Sequence, residues 1–254
     1  MSREVRVAVF RPDDERLTGA VELLDSLGAT PVPDPMLAIE PTGAVPGDDH
    51  DSGSGPDIVV LTSKTGVELL VESGWSPGDA AVACIGPKTA AAARDAGWTV
   101  ALVPAEYSSS GLVAALGSDV AGKKVAVARS DHGSHVLTDG LRDAGAEVTE
   151  TVLYRLARPE GAGQSTVMAA GGEVDAVCFT SSLTVENFLE AAEERGVGEE
   201  AIAGLNRATV GAIGAPTRET AADFGIGVDV VPDNATFEAL ATAVVEAAAP
   251  TYSE

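Results

Sequence analysis

Eight short stretches of this sequence place glycine or small polar residues where an apolar segment gives way to a helical one. They read LTSKT, IGPKT, EYSSSG and ARSDHGS in one set, and FRPDD, FTSSLT, IGAPT and DNAT in the other. Ser, Thr, Asp and Asn at such points are typical helix N-caps, each worth about 1 kcal/mol. The carboxyl ends of parallel strands share one edge, where helix N-termini present free N–H groups to anions. The set therefore predicts N-caps and a cleft suited to a large polyanion.

Tyr154, in the segment TVLYRLARP, is the candidate for proton transfer. The segment follows the last strand-helix unit of its set, so it is expected to run beside the cleft. A packing tyrosine is one interpretation. The other is a phenol that donates a proton or a hydrogen bond to a leaving hydroxyl.

Motifs that would indicate a phosphate-binding loop or a metal site are incomplete in this sequence. The stretch GSDVAGKK imitates a phosphate loop, but it lacks the Ser or Thr after the lysine and precedes a strand. The stretch HGSH offers two histidines, and the remaining histidine, His50, lies in a polar linker, which favours a solvated helix start over a metal site. Cys84 and Cys178 stand inside apolar runs and are expected to be buried thiols without a disulfide or metal role.

The elements that position these residues alternate short Val/Ala/Ile runs with amphipathic helical segments, as expected for an α/β fold with parallel sheets. The pattern also repeats. Thr62 and Thr180 stand 118 residues apart in matching turns, and after those turns the offset grows to 128, as between Gly86 and Gly214. An internal duplication with one helical insertion explains both offsets, and predicts two similar lobes.

Charge excludes several classes of partner. The chain has 39 acidic and 16 basic residues, a formal net charge of −23, and only four lysines. This charge disfavours nucleic acid and anionic membranes as partners, and is typical of proteins adapted to high salt. The sequence shows no apolar signal core and no apolar run of membrane-spanning length, so a soluble, cytoplasmic protein is expected.

Taken in order, these segments resemble the uroporphyrinogen-III synthase family over nearly the whole chain. The resemblance is carried by the turns FTS and LTS before a helix, the IGxxT segments that contain Thr89 and Thr217, the segment ARSDHGSHVLTDGLRDAGAEV, and the VxYR segment that holds Tyr154. It implies two lobes, each a parallel sheet flanked by helices. The predicted boundaries are 1–33 with 160–254 for lobe 1 and 42–152 for lobe 2, with linker strands at 34–41 and 153–159.

The resemblance also implies the chemistry: cofactor-independent closure of the linear tetrapyrrole hydroxymethylbilane to uroporphyrinogen III, with loss of water and inversion of ring D. A lyase of tetrapyrrole biosynthesis, monomeric and from a halophilic archaeon, is expected, with Tyr154 as the catalytic residue. Because the substrate carries many carboxylates and the protein is strongly acidic, binding must be local. The expected substrate-binding residues are Arg11, Thr62, Ser63, Thr89, Arg129, Ser130, Thr180, Ser181, Ser182 and Thr217.

Two rival functions remain open at this stage. A noncatalytic tetrapyrrole-binding or regulatory module of the same fold would keep the cleft but lose Tyr154 or the turns. A two-lobed solute-binding protein would require a secretion signal. An assay with hydroxymethylbilane that separates the type III from the type I product distinguishes the enzyme from both rivals.

Overall fold

The computed structural model describes residues 4–47 and 55–249, so His50 and part of the predicted polar linker lie outside the described residues. The strands are β1 (Arg6–Val9), β2 (Thr30–Pro33), β3 (Ala38–Pro41), β4 (Ile58–Leu61), β5 (Ala81–Cys84), β6 (Val100–Leu102), β7 (Lys124–Ser130), β8 (Glu147–Ala157), β9 (Ala176–Phe179) and β10 (Thr209–Ala212). The helices are α1 (Glu15–Ser26), α2 (Lys64–Glu72), α3 (Pro87–Asp95), α4 (Ser109–Leu116), α5 (His135–Asp143), α6 (Gln164–Ala170), α7 (Ser182–Glu194), α8 (Gly198–Leu205), α9 (Ala215–Asp223) and α10 (Phe237–Ala248). A short 3-10 turn covers Gly117–Val120. None of the described helices combines the length and apolar character needed to cross a lipid bilayer.

The chain divides into two compact units. Unit 1 comprises residues 1–38 and 157–254, and unit 2 comprises residues 39–156. Unit 1 holds a four-stranded sheet in the order β10-β9-β1-β2, and its strand pairs are parallel. The other sheet has six strands in the order β3-β8-β7-β4-β5-β6, and the pairs from β8 to β6 are parallel. The predicted α/β class is therefore confirmed, whereas the duplication and the two-stranded linker stay predictions.

Alternating side chains place a helical layer on each face of the unit 2 sheet. Along the fully buried β4, Val59 and Leu61 pack with residues of α2 and α3, while Ile58 and Val60 pack with residues of α4 and α5. Two consecutive residues of β8 break this rule, since Leu153 and Tyr154 both pack in the cluster on the α2 side. Successive side chains of a regular strand point to opposite faces of the sheet, so two neighbours on one face require a local irregularity in β8.

Unit 1 is layered in the same way. In and just after β1, Ala8 and Phe10 pack on the side of α6, α7, α8 and α9, and Val7 and Val9 pack on the side of α1 and α10. Three aromatic rings centre the first cluster, with Phe10 lying 5.0 Å from Phe179 and 5.6 Å from Phe188 between ring centroids. Both predicted thiols are buried, Cys84 in unit 2 and Cys178 in unit 1. These cores fix the strand ends, and with them the residues that follow each strand.

Candidate functional site

Three serines cap the helices that follow strands of unit 2. Ser63, Ser108 and Ser134 each accept a hydrogen bond from a backbone N–H in the first turn of α2, α4 and α5, at 2.9, 3.0 and 3.2 Å. Because the strands are parallel, these helix starts meet at one edge of the sheet. Positive helix ends and free N–H groups therefore converge there.

A pocket of about 210 Å³ opens among these strand ends. Its apolar wall includes Ile85 and Leu137. The polar residues that line it are Thr62, Ser63, Ser109, Arg129, Ser130, Ser134 and Tyr154. The structure thus brings together five of the predicted site residues, Thr62, Ser63, Arg129, Ser130 and Tyr154, in one unit.

Tyr154 lies inside β8, the strand that runs from Glu147 to Ala157. Its side chain is 7% exposed, and the phenol donates a hydrogen bond to Ser63 Oγ at 3.1 Å. Ser63 Oγ also accepts from the N–H of Gly66, so both of its lone pairs are occupied. No described residue accepts the Ser63 hydroxyl proton, which leaves that proton available to a ligand, with Tyr154 bound behind it.

Arg129 is the buried cation of the pocket, at 6% exposure. One guanidinium nitrogen, Nη1, donates to the carbonyl of Ser134 at 3.1 Å, and Nη2 pairs with the carboxylate of Glu150. That carboxylate also pairs with Arg142 at 3.0 Å. Arg129 Nε is buried and has no hydrogen-bond partner among the described residues. A buried unpaired donor is costly, and a ligand oxygen that reached it would remove that cost.

Gly133 leaves room for the Arg129 side chain. A Cβ atom at position 133 would lie 2.5 Å from Arg129 Cδ and 2.8 Å from Nη1. Both distances are shorter than nonbonded atoms allow. Arg129 cannot easily move aside, because Nη1 is bonded to Ser134 and Nη2 is paired with Glu150. The glycine of ARSDHGS is therefore required for the placement of the arginine.

Thr62 and Thr89 differ from what the turns predicted. Thr62 Oγ1 donates to the carbonyl of Ala128 at 3.2 Å, so the single hydroxyl proton is used in a bond to the neighbouring strand and only the acceptor positions of the oxygen remain. Thr89 is the third residue of α3, is 4% exposed, and lies outside the pocket lining. The N-cap of α3 is Gly86, followed by a proline, so the prediction that the threonine caps this helix is wrong.

In unit 1, two predicted serines lie at the start of α7. Ser181 caps α7 in a reciprocal capping box with Thr184, both bonds being 3.2 Å. Ser182 donates to the carbonyl of Pro216 at 3.3 Å and accepts from Thr220 at 2.8 Å. These contacts tie the start of α7 to α9.

The other predicted residues of unit 1 have different surroundings. Thr180 follows β9 and is partly buried. Thr217 is the third residue of α9 and is 3% exposed, and Gly214 is the N-cap, so here too the threonine was wrongly predicted to cap the helix. The Arg11 guanidinium lies over the Phe237 ring, 4.9 Å from its centroid, in a cation–π contact. Burial, followed by the nearby Arg16, lowers the pKa of Arg11 from its ordinary value.

Sequence reasoning missed two pocket hydroxyls, those of Ser109 and Ser134. Both belong to stretches that the sequence marked as helix starts, EYSSSG and ARSDHGS. Composition alone does not decide which serine of such a stretch caps and which faces a pocket. The incomplete motifs have ordinary places: Gly117–Val120 forms the 3-10 turn, and His135 begins α5. Within the described ranges, no group of three or more His, Cys, Asp or Glu residues is arranged to hold a metal ion.

Comparison with known proteins decides the family. The model of the family described as uroporphyrinogen-III synthase HemD matches residues 19–242. The chain belongs to the uroporphyrinogen-III synthase family. A putative uroporphyrinogen-III synthase of Methanothermobacter thermautotrophicus is 36% identical over 248 residues, which cover 94% of this chain and 96% of that protein. These matches confirm the predicted family and enzyme class, that of a lyase.

Solved structures of uroporphyrinogen-III synthases share the fold. A Thermus thermophilus variant aligns with a TM-score of 0.67 at 24% identity, over 96% of this chain and 98% of that chain. The Helicobacter pylori protein aligns with a TM-score of 0.62 at 14% identity, over 96% of this chain and 100% of that chain. At these identities the likeness concerns the fold alone, so the roles of individual residues rest on the geometry described above.

Proposed function

We propose that this uroporphyrinogen-III synthase closes hydroxymethylbilane to uroporphyrinogen III without a cofactor, and that the Tyr154–Ser63 pair assists departure of the substrate hydroxyl. The supporting observation is the buried phenol bonded to Ser63 Oγ at 3.1 Å on the wall of a hydroxyl-lined pocket. The hydrogen-bonded pair is an internal proton donor with one free proton, that of Ser63.

The first step breaks the C–O bond of the terminal hydroxymethyl group. Its electron pair leaves with the oxygen, which takes a proton from the Tyr154–Ser63 pair and departs as water. The adjacent pyrrole nitrogen supplies electrons, so an azafulvene cation remains. General-acid assistance of this kind contributes about 10² to 10⁴ in rate.

Ring closure then inverts the last pyrrole. Its substituted carbon attacks the cation to give a spiro intermediate, which fragments and recombines at the other carbon. Loss of a proton from that ring restores aromaticity and returns a proton to the donor pair. The protein accelerates this route by holding the chain ends together, so that inverted closure outruns spontaneous closure without inversion.

The substrate carboxylates are bound by local donors. In unit 2 the proposal assigns this role to the Arg129 guanidinium and the Ser130 hydroxyl, whose residues line the pocket. It keeps Thr62 and Ser63 as further pocket contacts, because the Thr62 hydroxyl donates its proton to the Ala128 carbonyl and the Ser63 proton goes to the leaving hydroxyl. The proposal keeps Thr89 and the unit 1 residues Arg11, Thr180, Ser181, Ser182 and Thr217 as further contacts. Of these, Thr89 and Thr217 carry the weakest support, because both are nearly inaccessible.

The proposal includes two lobes that correspond to the two units, related by duplication and connected through β3 and β8. It also includes a monomer in the cytoplasm of a halophilic archaeon. The net charge of −23 and the low lysine content support the saline habitat.

The deciding experiment supplies hydroxymethylbilane to the purified protein, without metal or nucleotide, and separates the type III from the type I product. Protein-dependent type III product is expected. A heat-inactivated sample measures spontaneous closure to type I. If every salt concentration up to molar KCl gave type I product alone, the activity would be refuted.

A further inference from the structure

Asp131, which the mechanism above does not use, contacts the strand that carries Tyr154. Its side chain is 30% exposed and lies directly after β7, whose last residue is Ser130. The carboxylate oxygen Oδ1 accepts from the backbone N–H of Leu156 at 3.1 Å, and the backbone N–H of Asp131 donates to the carbonyl of Tyr154 at 3.2 Å. Both bonds reach β8 within two residues of the phenol.

The pairing of β7 with β8 explains why these bonds matter. From Lys124 to Arg129 the two strands pair in regular parallel register, but Ser130 pairs with Tyr154 while Arg129 pairs with Val152. Leu153 is therefore the extra residue of a β-bulge. A bulge re-aims the side chains that follow it, and here it places Leu153 and Tyr154 on the same face. Without the bulge Tyr154 would point to the opposite face, away from Ser63.

Past the bulge, β7 has ended and offers no further carbonyl to its neighbour. The Asp131 carboxylate stands in for that carbonyl, since it accepts the N–H that the next ladder bond would have used. The same oxygen lies 2.9 Å from Nδ1 of His132, which is half exposed.

We propose that Asp131 is a positioning residue that fixes the β8 bulge and so holds the Tyr154 phenol against Ser63. The catalytic consequence rests on the proposed function of Tyr154, whereas the positioning itself does not. An acceptor is required at this place, and its charge is secondary. Asp131→Asn, which keeps an acceptor oxygen at the same distance along the side chain, should therefore retain the wild-type arrangement, and Asp131→Ala should not.

The chain offers a direct probe of position, because it contains only three tyrosines. Full-length protein labelled with 3-fluorotyrosine is examined by ¹⁹F NMR, and Tyr154→Phe assigns the Tyr154 signal. In Asp131→Ala the Tyr154 signal should shift or broaden while that of Tyr107, which is 63% exposed, stays in place. In Asp131→Asn both signals should match those of the wild type.

Kinetics give the second readout. Turnover of hydroxymethylbilane by Asp131→Ala should fall about tenfold or more, with KM changed much less, because a misplaced catalytic group affects the chemical step. Asp131→Asn should stay within about threefold of the wild type. In the Tyr154→Phe background, Asp131→Ala should lower turnover little further, since Asp131 acts through the phenol.

Asp57→Ala is the matched control. The Asp57 carboxylate also accepts a backbone N–H, that of Lys124 at 2.8 Å, but at the amino end of the same sheet. It should leave the Tyr154 signal and turnover unchanged. If Asp131→Ala does not fold, as judged by circular dichroism, Asp131→Glu replaces it: this variant keeps the charge and displaces the acceptor, so it should perform worse than Asp131→Asn.

The outcomes distinguish the positioning role of Asp131 from the proposed catalytic role of Tyr154. An unmoved Tyr154 signal in Asp131→Ala overturns the positioning role, and so does an Asp131→Asn variant as impaired as Asp131→Ala. A signal that moves with no loss of turnover supports the positioning and refutes the catalytic role of Tyr154. Type I product alone from the wild type would refute the enzymatic function while leaving the NMR test of Asp131 intact.

Discussion

Replacing Tyr154 by phenylalanine is the sharpest test of the proposed chemistry, because it removes one oxygen and keeps the ring. The ring is 7% exposed and packs in the apolar cluster with residues such as Leu61 and Leu70. No cavity forms, since phenylalanine fills the same volume. Among the described residues, the hydrogen bond that this change removes is the one from the phenol to Ser63 Oγ, at 3.1 Å.

The stability cost of Tyr154→Phe should therefore be small. A hydrogen bond between neutral groups contributes about 1 kcal/mol net, and Ser63 keeps its bond to the N–H of Gly66. For a chain of this length, 1 kcal/mol corresponds to a fall in Tm of roughly 2–4 °C. Turnover, in contrast, should fall about 10²-fold, which corresponds to about 2.7 kcal/mol of transition-state stabilisation.

The assay measures the rate of type III product from hydroxymethylbilane beside a thermal melt of the same sample. As enzymatic closure slows, spontaneous closure claims a growing share of the substrate, so the fraction of type I product should rise. Ser63→Ala is the companion variant, since it removes the cap of α2, at about 1 kcal/mol, as well as the free proton. Near-wild-type turnover in Tyr154→Phe would show that the tyrosine only packs and that positioning of the bilane accounts for the rate.

Three further predictions concern the pocket, the surface and the cysteines. Gly133→Ala should displace Arg129, raise KM for the bilane several-fold and cost roughly 1–3 kcal/mol of stability by overpacking; unchanged KM in titrations of substrate would count against this arginine as a carboxylate contact. Raising KCl from dilute buffer to about 1 M should increase Tm and activity, because screening weakens repulsion within a surface of net charge −23; a flat or falling Tm would contradict the proposed habitat. Burial raises the pKa of Cys84 to about 11 and of Cys178 to about 12, so a thiolate-specific reagent at pH 8 should label neither until denaturant is added; rapid labelling of the native protein would contradict their burial.

Much of the fold is predictable from the sequence because its signals are local and repeated. Apolar runs such as Ile58–Leu61 and hydroxyl turns after them mark where strands end and helices begin, and the structure places β4 and α2 there. Caps are less predictable. At Gly86 and Gly214 a glycine is the N-cap, a proline occupies the first or second helical position, and the nearby threonines lie within the first turn. A threonine near a helix start carries the same composition signal whether or not it caps.

The site was predictable in outline and not in its geometry. The sequence indicates that Ser63, Arg129 and Tyr154 belong near one sheet edge, because each lies at or near a strand end. It does not indicate that the Tyr154 phenol meets the Ser63 hydroxyl, because that contact depends on a one-residue shift of register at Leu153. In the strand VTETVLYRLA, Val152, Leu153 and Tyr154 are consecutive apolar residues, and a buried strand without a bulge can show the same run, so composition does not reveal the bulge.

The charges around Arg129 show how so acidic a protein can bind a polycarboxylate. Arg129 forms an ion pair with Glu150, and Glu150 also pairs with Arg142. Arg142 in turn pairs with Asp139 at 3.2 Å. Two arginines and two carboxylates sum to zero, so this group exerts little attraction at a distance. Under the proposed assignment it contributes directed donors instead: a fixed guanidinium, and the free proton of Ser63 on the wall of the same pocket. Such donors act only on an oxygen already within hydrogen-bond distance. Added salt weakens these short-range hydrogen bonds less than it weakens long-range electrostatic attraction through the solvent. Binding through preformed local donors would therefore suit an acidic protein in the concentrated salt of the proposed habitat.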